Sequence, residues 1–483
     1  MLFNSLEFIL FFAIVLCLYF VIPQKLRWIL LLISSYVFYM FWNPKYVILI
    51  IISTLVDYIV SLGMGKTENA AIRKLLLLIS LITNLGLLFV FKYFGMLINI
   101  INDISGSSFD ALSLILPMGI SFYTFQTLSY TIDVYRNKRE PEKHIGYFAL
   151  YVVYFPQLVA GPIERSNRLL PQLKANHTID YERFVNGARR MLWGYFKKVV
   201  IADNLAVGVN SVFSDPYHQS GLILLISTLF FAFQIYCDFS GYSDIAIGAS
   251  KIMGIDLMEN FKRPYFAKSL KEFWSRWHIS LTTWFKDYLY FPLGGSRKGK
   301  VRTYINISAV FLVSGLWHGA DIKFLIWGGL HAVFQLLERS KNDISEKIAK
   351  LKVKSDNKNI ISLKWLFTFL IVLIAWTFFR ANNASEAMYI LKKIVADIVQ
   401  LNLFDNIQLY IQGLNMDYSQ IIISIFSIVM LIAYDCIEEV KGRNIFELLG
   451  NRKILRWSLY YFIILYIMLF GVFEKSAFIY FQF

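Results

Sequence analysis

Apolar residues in this chain of 483 come in long uninterrupted blocks, the first being EFILFFAIVLCLYFVI at residues 7–22. A membrane-crossing helix needs roughly 20 mainly apolar residues, and about a dozen blocks approach that length. With 57% hydrophobic and only 17% charged residues, the chain lacks the polar surface of a water-soluble globule. It reads as an all-α polytopic membrane protein with about 11–12 spanning helices. Expected spans are 6–22, 27–43, 46–62, 74–100, 112–134, 199–213, 221–237, 303–318, 324–338, 364–379, 420–437 and 456–474. No internal repeat or low-complexity tract interrupts them, and the polar stretch 339–363 reads as a loop, so one domain is expected over 1–483. No basic residue precedes the first block and no small-residue cleavage site follows it, so it is expected to be retained as a span.

The net charge of +15 is not spread evenly. Lys and Arg concentrate in 24–27, 65–74, 136–143, 251–302, 339–354 and 441–456, whereas NDISGSSFDA (102–111) and DPYHQSG (215–221) have none. Alternation of this kind follows the positive-inside rule and puts both chain ends outside; Arg380, Lys392 and Lys393 run against it. The expected electrostatic partner is an anionic inner leaflet, not nucleic acid. Cys17, Cys237 and Cys436 are far apart in apolar surroundings, which suggests neither a disulfide framework nor a zinc site.

Three segments fit simple spanning poorly. YVVYFPQLVAGPIERSNRLLPQ (151–172) sets three prolines beside charges and reads as a re-entrant segment or an interfacial loop. CDFSGYSDIAIG (237–248) interrupts a hydrophobic run with Asp238 and Asp244, which predicts a broken helix or a polar-lined cavity, the aspartates being bonded to basic residues or, as the sharper reading, part of a proton relay. From Ser269 to Tyr288, aromatic residues recur at steps of three and four behind a Ser269–Glu272 capping box. That spacing predicts one helix, lying in the inner interface with its rings at headgroup depth or, as the alternative, buried in the bundle.

Candidate chemistry rests on histidine. His144, His177 and His218 fall in polar loops and are expected to be solvated, and His331 is expected to be a structural ring bonded inside the bundle. His278, on the interfacial helix, and His318, at the external end of a span, are the candidate catalytic residues, because ionisable groups at membrane depth are costly and tend to be functional. Imidazole titrates near neutrality and suits removal of a proton from a hydroxyl. Gly315 and Gly319 leave room beside His318 for a ligand or another backbone. Trp277 and Trp317, each preceding one of the histidines, and Arg276 and Asp287 are the candidate substrate-binding residues. No metal site is expected, since HxxxH and HExxH spacings are absent.

The ordered set YCDFSGYSDIAIG, RPYFAKSLKEFWSRWHISLTTWFKDYLYFPLGG, SGLWHGADIKFLIWGGLHA and FIYFQF resembles the membrane-bound O-acyltransferase family, and within it the alginate O-acetyltransferase branch. The resemblance covers nearly the whole chain, including MLFNSLEFILFF and PQLVAGPIER. It implies that His318 of WHG matches the family's essential histidine and His278 of RWH its second functional histidine. It implies a thin central region where a tunnel joins a cytoplasmic acyl donor to an external acceptor, in a bacterial inner or plasma membrane. The donor would be a thioester, acetyl-CoA or an acyl carrier protein, used as substrate with no tightly bound cofactor. The implied partners are an extracytoplasmic acetyltransferase protein and a polysaccharide acceptor. Two other readings stay open: D-alanyl transfer to teichoic acid, and a transporter or flippase with intramembrane aspartates, the latter disfavoured by the missing inverted repeat.

Overall fold

The computed structural model describes residues 1–110, 114–159, 161–348, 358–399, 413–473 and 478–479. Among these every regular element is helical. The chain forms two compact units, Met1–Gly194 with Tyr242–Glu259, and Tyr195–Gly241 with Asn260–Ile479. Among the described residues, six helical stretches are long and apolar enough to cross a membrane: Pro44–Gly65, Ala70–Lys92, Gly221–Ile252, Leu363–Arg380, Tyr418–Lys441 and Lys453–Phe470. Leu6–Val21 and Phe94–Ser105 are shorter apolar helices.

The first unit starts with α1 (Leu6–Val21), α2 (Gln24–Met40), α3 (Val47–Gly65), α4 (Ala70–Lys92), α5 (Phe94–Ser105) and α6 (Ile120–Tyr135). Ser5 and Asn69 cap α1 and α4 through their side chains, as short polar residues do when they accept the otherwise unpaired first N–H groups. The expected span 74–100 is two helices, parted at Tyr93. Helices α3, α4 and α6 pack together. On the other side α4 exposes Leu75, Leu78, Ile79 and Ile82, a surface suited to lipid. The core of this group holds a polar knot: Asn84 Nδ2 donates to Asp57 Oδ2 at 2.9 Å and Ser53 Oγ donates to Asn84 Oδ1 at 2.6 Å. Asp57 is therefore a structural carboxylate.

Helices α7 (Ile145–Val153), α8 (Phe155–Leu158) and α9 (Ser166–Lys174) divide the proline-rich segment. Pro156 stands in the first turn of α8, where its missing donor is harmless. Irregular backbone here is buried and satisfied by protein: Phe155 N donates to Ser35 Oγ at 3.1 Å and Gln157 Nε2 to Tyr151 O at 3.0 Å. Glu164 is fully buried and accepts the Met258 N–H. Helix α10 (Tyr181–Tyr195) supplies Arg190, whose Nε donates to Asp244 Oδ1 at 3.0 Å.

The second unit opens with a π-helical stretch, Phe196–Ala202, and α11 (Asp203–Ser214), where a span over 199–213 was expected. Its buried Lys198 lies 2.8 Å from Asp203 and 2.6 Å from Asp238. Those pairings correct the reading of CDFSGYSDIAIG: α12 (Gly221–Ile252) runs unbroken through it. Its aspartates are matched by Lys198 and Arg190, so the helix has no need to open.

The 269–288 reading is also corrected. The aromatic spacing persists, but the chain forms α13 (Leu270–Arg276), a break at Trp277–His278, α14 (Ile279–Phe285) and a π-helical turn Lys286–Tyr290. Ser269 Oγ accepts from Glu272 N as expected, while the Glu272 carboxylate receives Lys268 N and Arg276. Trp274, Trp277 and Trp284 are buried instead of facing headgroups.

Helices α15 (Lys300–His318), α16 (Ile322–Ile348), α17 (Lys358–Arg380) and α18 (Ala384–Val399) follow, then α19 (Tyr418–Lys441), α20 (Ile445–Leu449) and α21 (Lys453–Phe470). Much of the expected 339–363 loop is thus helical, and 349–357 lies outside the described residues. Helices α15 and α16 cross at two glycines. A Cβ on Gly315 would sit 2.3 Å from Phe324 O, and one on Gly328 would sit 2.3 Å from Phe311 O. Small residues of this kind let helix backbones touch. The space expected beside Gly315 is filled by backbone, and that beside Gly319 by the Phe324 ring.

Candidate active site

His318 is the last residue of α15, and the chain leaves the helix there through Gly319 in extended conformation. Its imidazole is 5% exposed and sits among aromatic rings, with centroids 4.8 Å from Trp317, 4.9 Å from Trp327 and 5.2 Å from Phe379. Each of these approaches is edge-on, which suits the quadrupole of an aromatic face.

His278 reaches the same region from the break between α13 and α14. Its backbone is left-handed, φ 41° and ψ 54°, which costs a non-glycine residue on the order of 1–2 kcal/mol. Flanking hydrogen bonds hold the strained turn: Lys262 N donates to Arg276 O at 2.9 Å and Ile279 N to Asn260 O at 3.0 Å. The ring is 1% exposed, lies 3.1 Å through Nδ1 from Asn260 Oδ1, and packs on Phe239 at 4.6 Å. Burial holds its pKa down to about 3, so the ring is neutral at physiological pH.

Trp317 stands between the two histidines, 6.2 Å from His278 and 4.8 Å from His318. Trp277 turns the other way, onto Trp376 at 5.0 Å, and Trp376 stacks on Trp327 at 6.3 Å. Four of the six candidate residues therefore share one aromatic cluster. Arg276 is committed elsewhere: Nη2 contacts Glu272 at 2.6 Å and Glu439 at 2.9 Å. Asp287 lies on the π-helical turn, half-buried. Among the described residues no three His, Cys, Asp or Glu side chains converge on a possible metal position.

His331 is structural, as expected, with Nδ1 accepting from Trp274 Nε1 at 3.3 Å. The loop histidines are less idle than expected. His144 caps α7, His177 Nε2 lies 2.7 Å from Gln172 O, and His218 pairs with Asp215. Asn260, Trp327 and Phe379 were missed, because nothing in their spacing ties them to the histidines.

A cavity of about 540 Å³ opens beside the cluster. Its walls combine exposed Lys271, Lys286 and Arg339 and the carboxylate of Glu338 with buried Trp274, Phe311 and Ser314. Ser314 lies one helical turn before His318 on α15. A lining that joins three cations to apolar rings suits a ligand with an anionic group and a flexible arm.

Comparison with known proteins gives the same picture. The pattern of the MBOAT, or membrane-bound O-acyltransferase, family matches residues 143–381, a stretch that contains both histidines. The chain is 40% identical over 395 residues to the probable alginate O-acetylase AlgI of Pseudomonas putida, covering 80% of this chain and 79% of that protein. It is 37% identical over 391 residues to the peptidoglycan O-acetyltransferase of Helicobacter pylori, covering 76% and 73%. To the teichoic acid D-alanyltransferase of Bacillus subtilis it is 29% identical over 232 residues, covering 46% and 58%. By that pattern and by 40% identity over 80% of its length, the chain belongs to the membrane-bound O-acyltransferase family.

Proposed function

We propose that this membrane O-acyltransferase passes an acetyl group from a cytoplasmic thioester to a hydroxyl, for O-acetylation of an extracytoplasmic polysaccharide. His318 takes the proton of the attacking hydroxyl as its oxygen forms the new ester bond to the acyl carbon. The carbon–sulfur bond breaks, and the thiolate leaves and recovers a proton. The donor is acetyl-CoA or a carrier-protein thioester, with its phosphate at Lys271, Lys286 and Arg339 and its arm in the slot toward Ser314. The acceptor is the polysaccharide itself or a hydroxyl of a partner acetyltransferase that completes delivery outside.

The observation that carries this reading is the pair of buried neighbours of one indole, His278 and His318, on two segments that the sequence assigns to opposite sides of the membrane. Acetyl as the group is supported by the names of two relatives, an alginate O-acetylase at 40% identity and a peptidoglycan O-acetyltransferase at 37%. D-alanyl transfer is the second reading, favoured by the teichoic acid relative. Mass spectrometry of the modified polymer separates the two.

The test is His318→Ala in cells, scored for surface acetyl content with membrane insertion checked by detergent extraction and gel filtration. Loss of a general base lowers the rate by ~10²- to 10⁴-fold. Near-full acetylation by a properly inserted variant contradicts the assignment.

A further inference from the structure

His278 does not hold its own ring in place. Asn260, eighteen residues earlier in the chain, offers one oxygen to three donors. Its Oδ1 receives the Ser280 backbone N–H at 3.2 Å and the Ser280 hydroxyl at 2.9 Å, and lies 3.1 Å from His278 Nδ1. A backbone N–H can only donate, so the shared atom is the amide oxygen and cannot be the amide nitrogen. An oxygen acceptor facing Nδ1 requires that Nδ1 carry the proton. The lone pair of the neutral ring is then on Nε2.

We propose that Asn260 is a positioning residue for acyl transfer, selecting the His278 tautomer whose Nε2 accepts a hydrogen bond or a proton from the bound substrate. The inference rests on His278 being functional, as in the proposed function. Its second support is backbone: Asn260 O accepts Ile279 N at 3.0 Å, so one residue fixes both the left-handed turn at His278 and the orientation of its ring. Asn260 is fully buried. Phe239 at 4.6 Å and Trp317 at 6.2 Å pack on the ring, and the Ser280 hydroxyl, 3.4 Å from Nδ1, donates at the shorter 2.9 Å to Asn260 Oδ1. The logic is that of any imidazole whose reacting nitrogen is set by the bond its other nitrogen makes.

The test compares Asn260→Asp with Asn260→Leu in the full-length protein purified in detergent, with acetyl thioester and a soluble hydroxyl acceptor. Asp keeps an acceptor oxygen for all three donors but buries a carboxyl group. Leu keeps the volume and removes the acceptor. The proposal predicts that Asn260→Asp stays within ~10-fold of wild type and Asn260→Leu loses ~10²-fold or more in kcat. A purely structural role predicts instead that activity falls only with the amount of folded protein, kcat per folded molecule being unchanged in both variants.

A double-mutant cycle covers the case where Asn260→Leu folds poorly. If Asn260 acts through His278, adding Asn260→Ala to His278→Ala costs no further activity, whereas independent roles multiply. Additive losses, or a fully active Asn260→Leu beside an inactive His278→Ala, overturn the positioning role. Full activity of His278→Ala sinks instead the underlying reading of His278.

Discussion

The imidazole of His278 is buried, and that has a consequence for stability. Its pKa falls from 6.5 to about 3 through desolvation. Above about pH 6.5 neither the folded nor the unfolded chain protonates it. As pH drops below that value the unfolded chain takes up a proton that the folded chain refuses, so stability is full at neutral pH and is lost progressively toward pH 3. The slope from one such group reaches ~1.4 kcal/mol per pH unit. Chemical or thermal unfolding in detergent is expected to weaken between pH 6.5 and 4, and His278→Gln is expected to flatten that dependence. An unchanged slope in the variant shows that this ring is not the one excluded from protonation. The two histidines were legible in the sequence because each sits in a polar notch between apolar runs, WHG and RWH. Asn260 was not legible: it meets His278 through a turn, and no helical or strand period relates positions 260 and 278. Arg276 was legible as a charge, but its partner Glu439 is 163 residues away, so its commitment to an ion pair was invisible.

Helix α15 carries His318, and its contact with α16 decides where that ring sits. The crossing is made by backbone against backbone at Gly315 and Gly328. A methyl group at either position meets a carbonyl 2.3 Å away, which no side-chain rotation relieves. Gly315→Ala or Gly328→Ala is expected to cost about 1–3 kcal/mol and to lower activity out of proportion by moving His318 against Trp327. Thermal melts and acetyl transfer measured on the same preparation check this, and a fully active, fully stable Gly315→Ala contradicts it. Helix α12 offers a second case. Lys198→Met leaves Asp203 and Asp238 buried without their cation, and is expected to destabilise the second unit by about 3–5 kcal/mol, read from urea unfolding. A variant as stable as wild type shows that the carboxylates find another partner. Long apolar helices were readable from composition alone, since length and hydropathy define them. The break at Trp277–His278 was not, because it contains neither Gly nor Pro and the three–four aromatic spacing continues across it. At 237–248 the pairing of the aspartates with basic residues was readable but the break was not there: polar residues inside an apolar run signal either a break or a buried ion pair, and only the distant Lys198 and Arg190 show that the helix stays whole.

At the scale of the molecule, lipid-facing surfaces and a buried aromatic centre belong to one chemistry. Apolar side chains exposed on α1, α4, α19 and α21 suit hydrocarbon, which leaves polar groups to be satisfied inside. A buried histidine is then stable only where neighbouring groups satisfy it, as Asn260 Oδ1 does 3.1 Å from His278 Nδ1. Family and membrane class were legible because ordered motifs and apolar blocks are properties of the sequence itself. The shapes of the cavity and of the histidine pair were not, because they arise where α13 to α17 meet. The most direct test reconstitutes the purified protein in sealed vesicles. Labelled acetyl thioester is supplied on the side of the basic loops alone, and a hydroxyl acceptor on the other side alone. The account predicts that labelled ester accumulates on the acceptor with wild-type protein and falls ~10²-fold or more with His318→Ala. Ester formation that is equal for the two proteins, or that requires donor and acceptor in the same compartment, contradicts it.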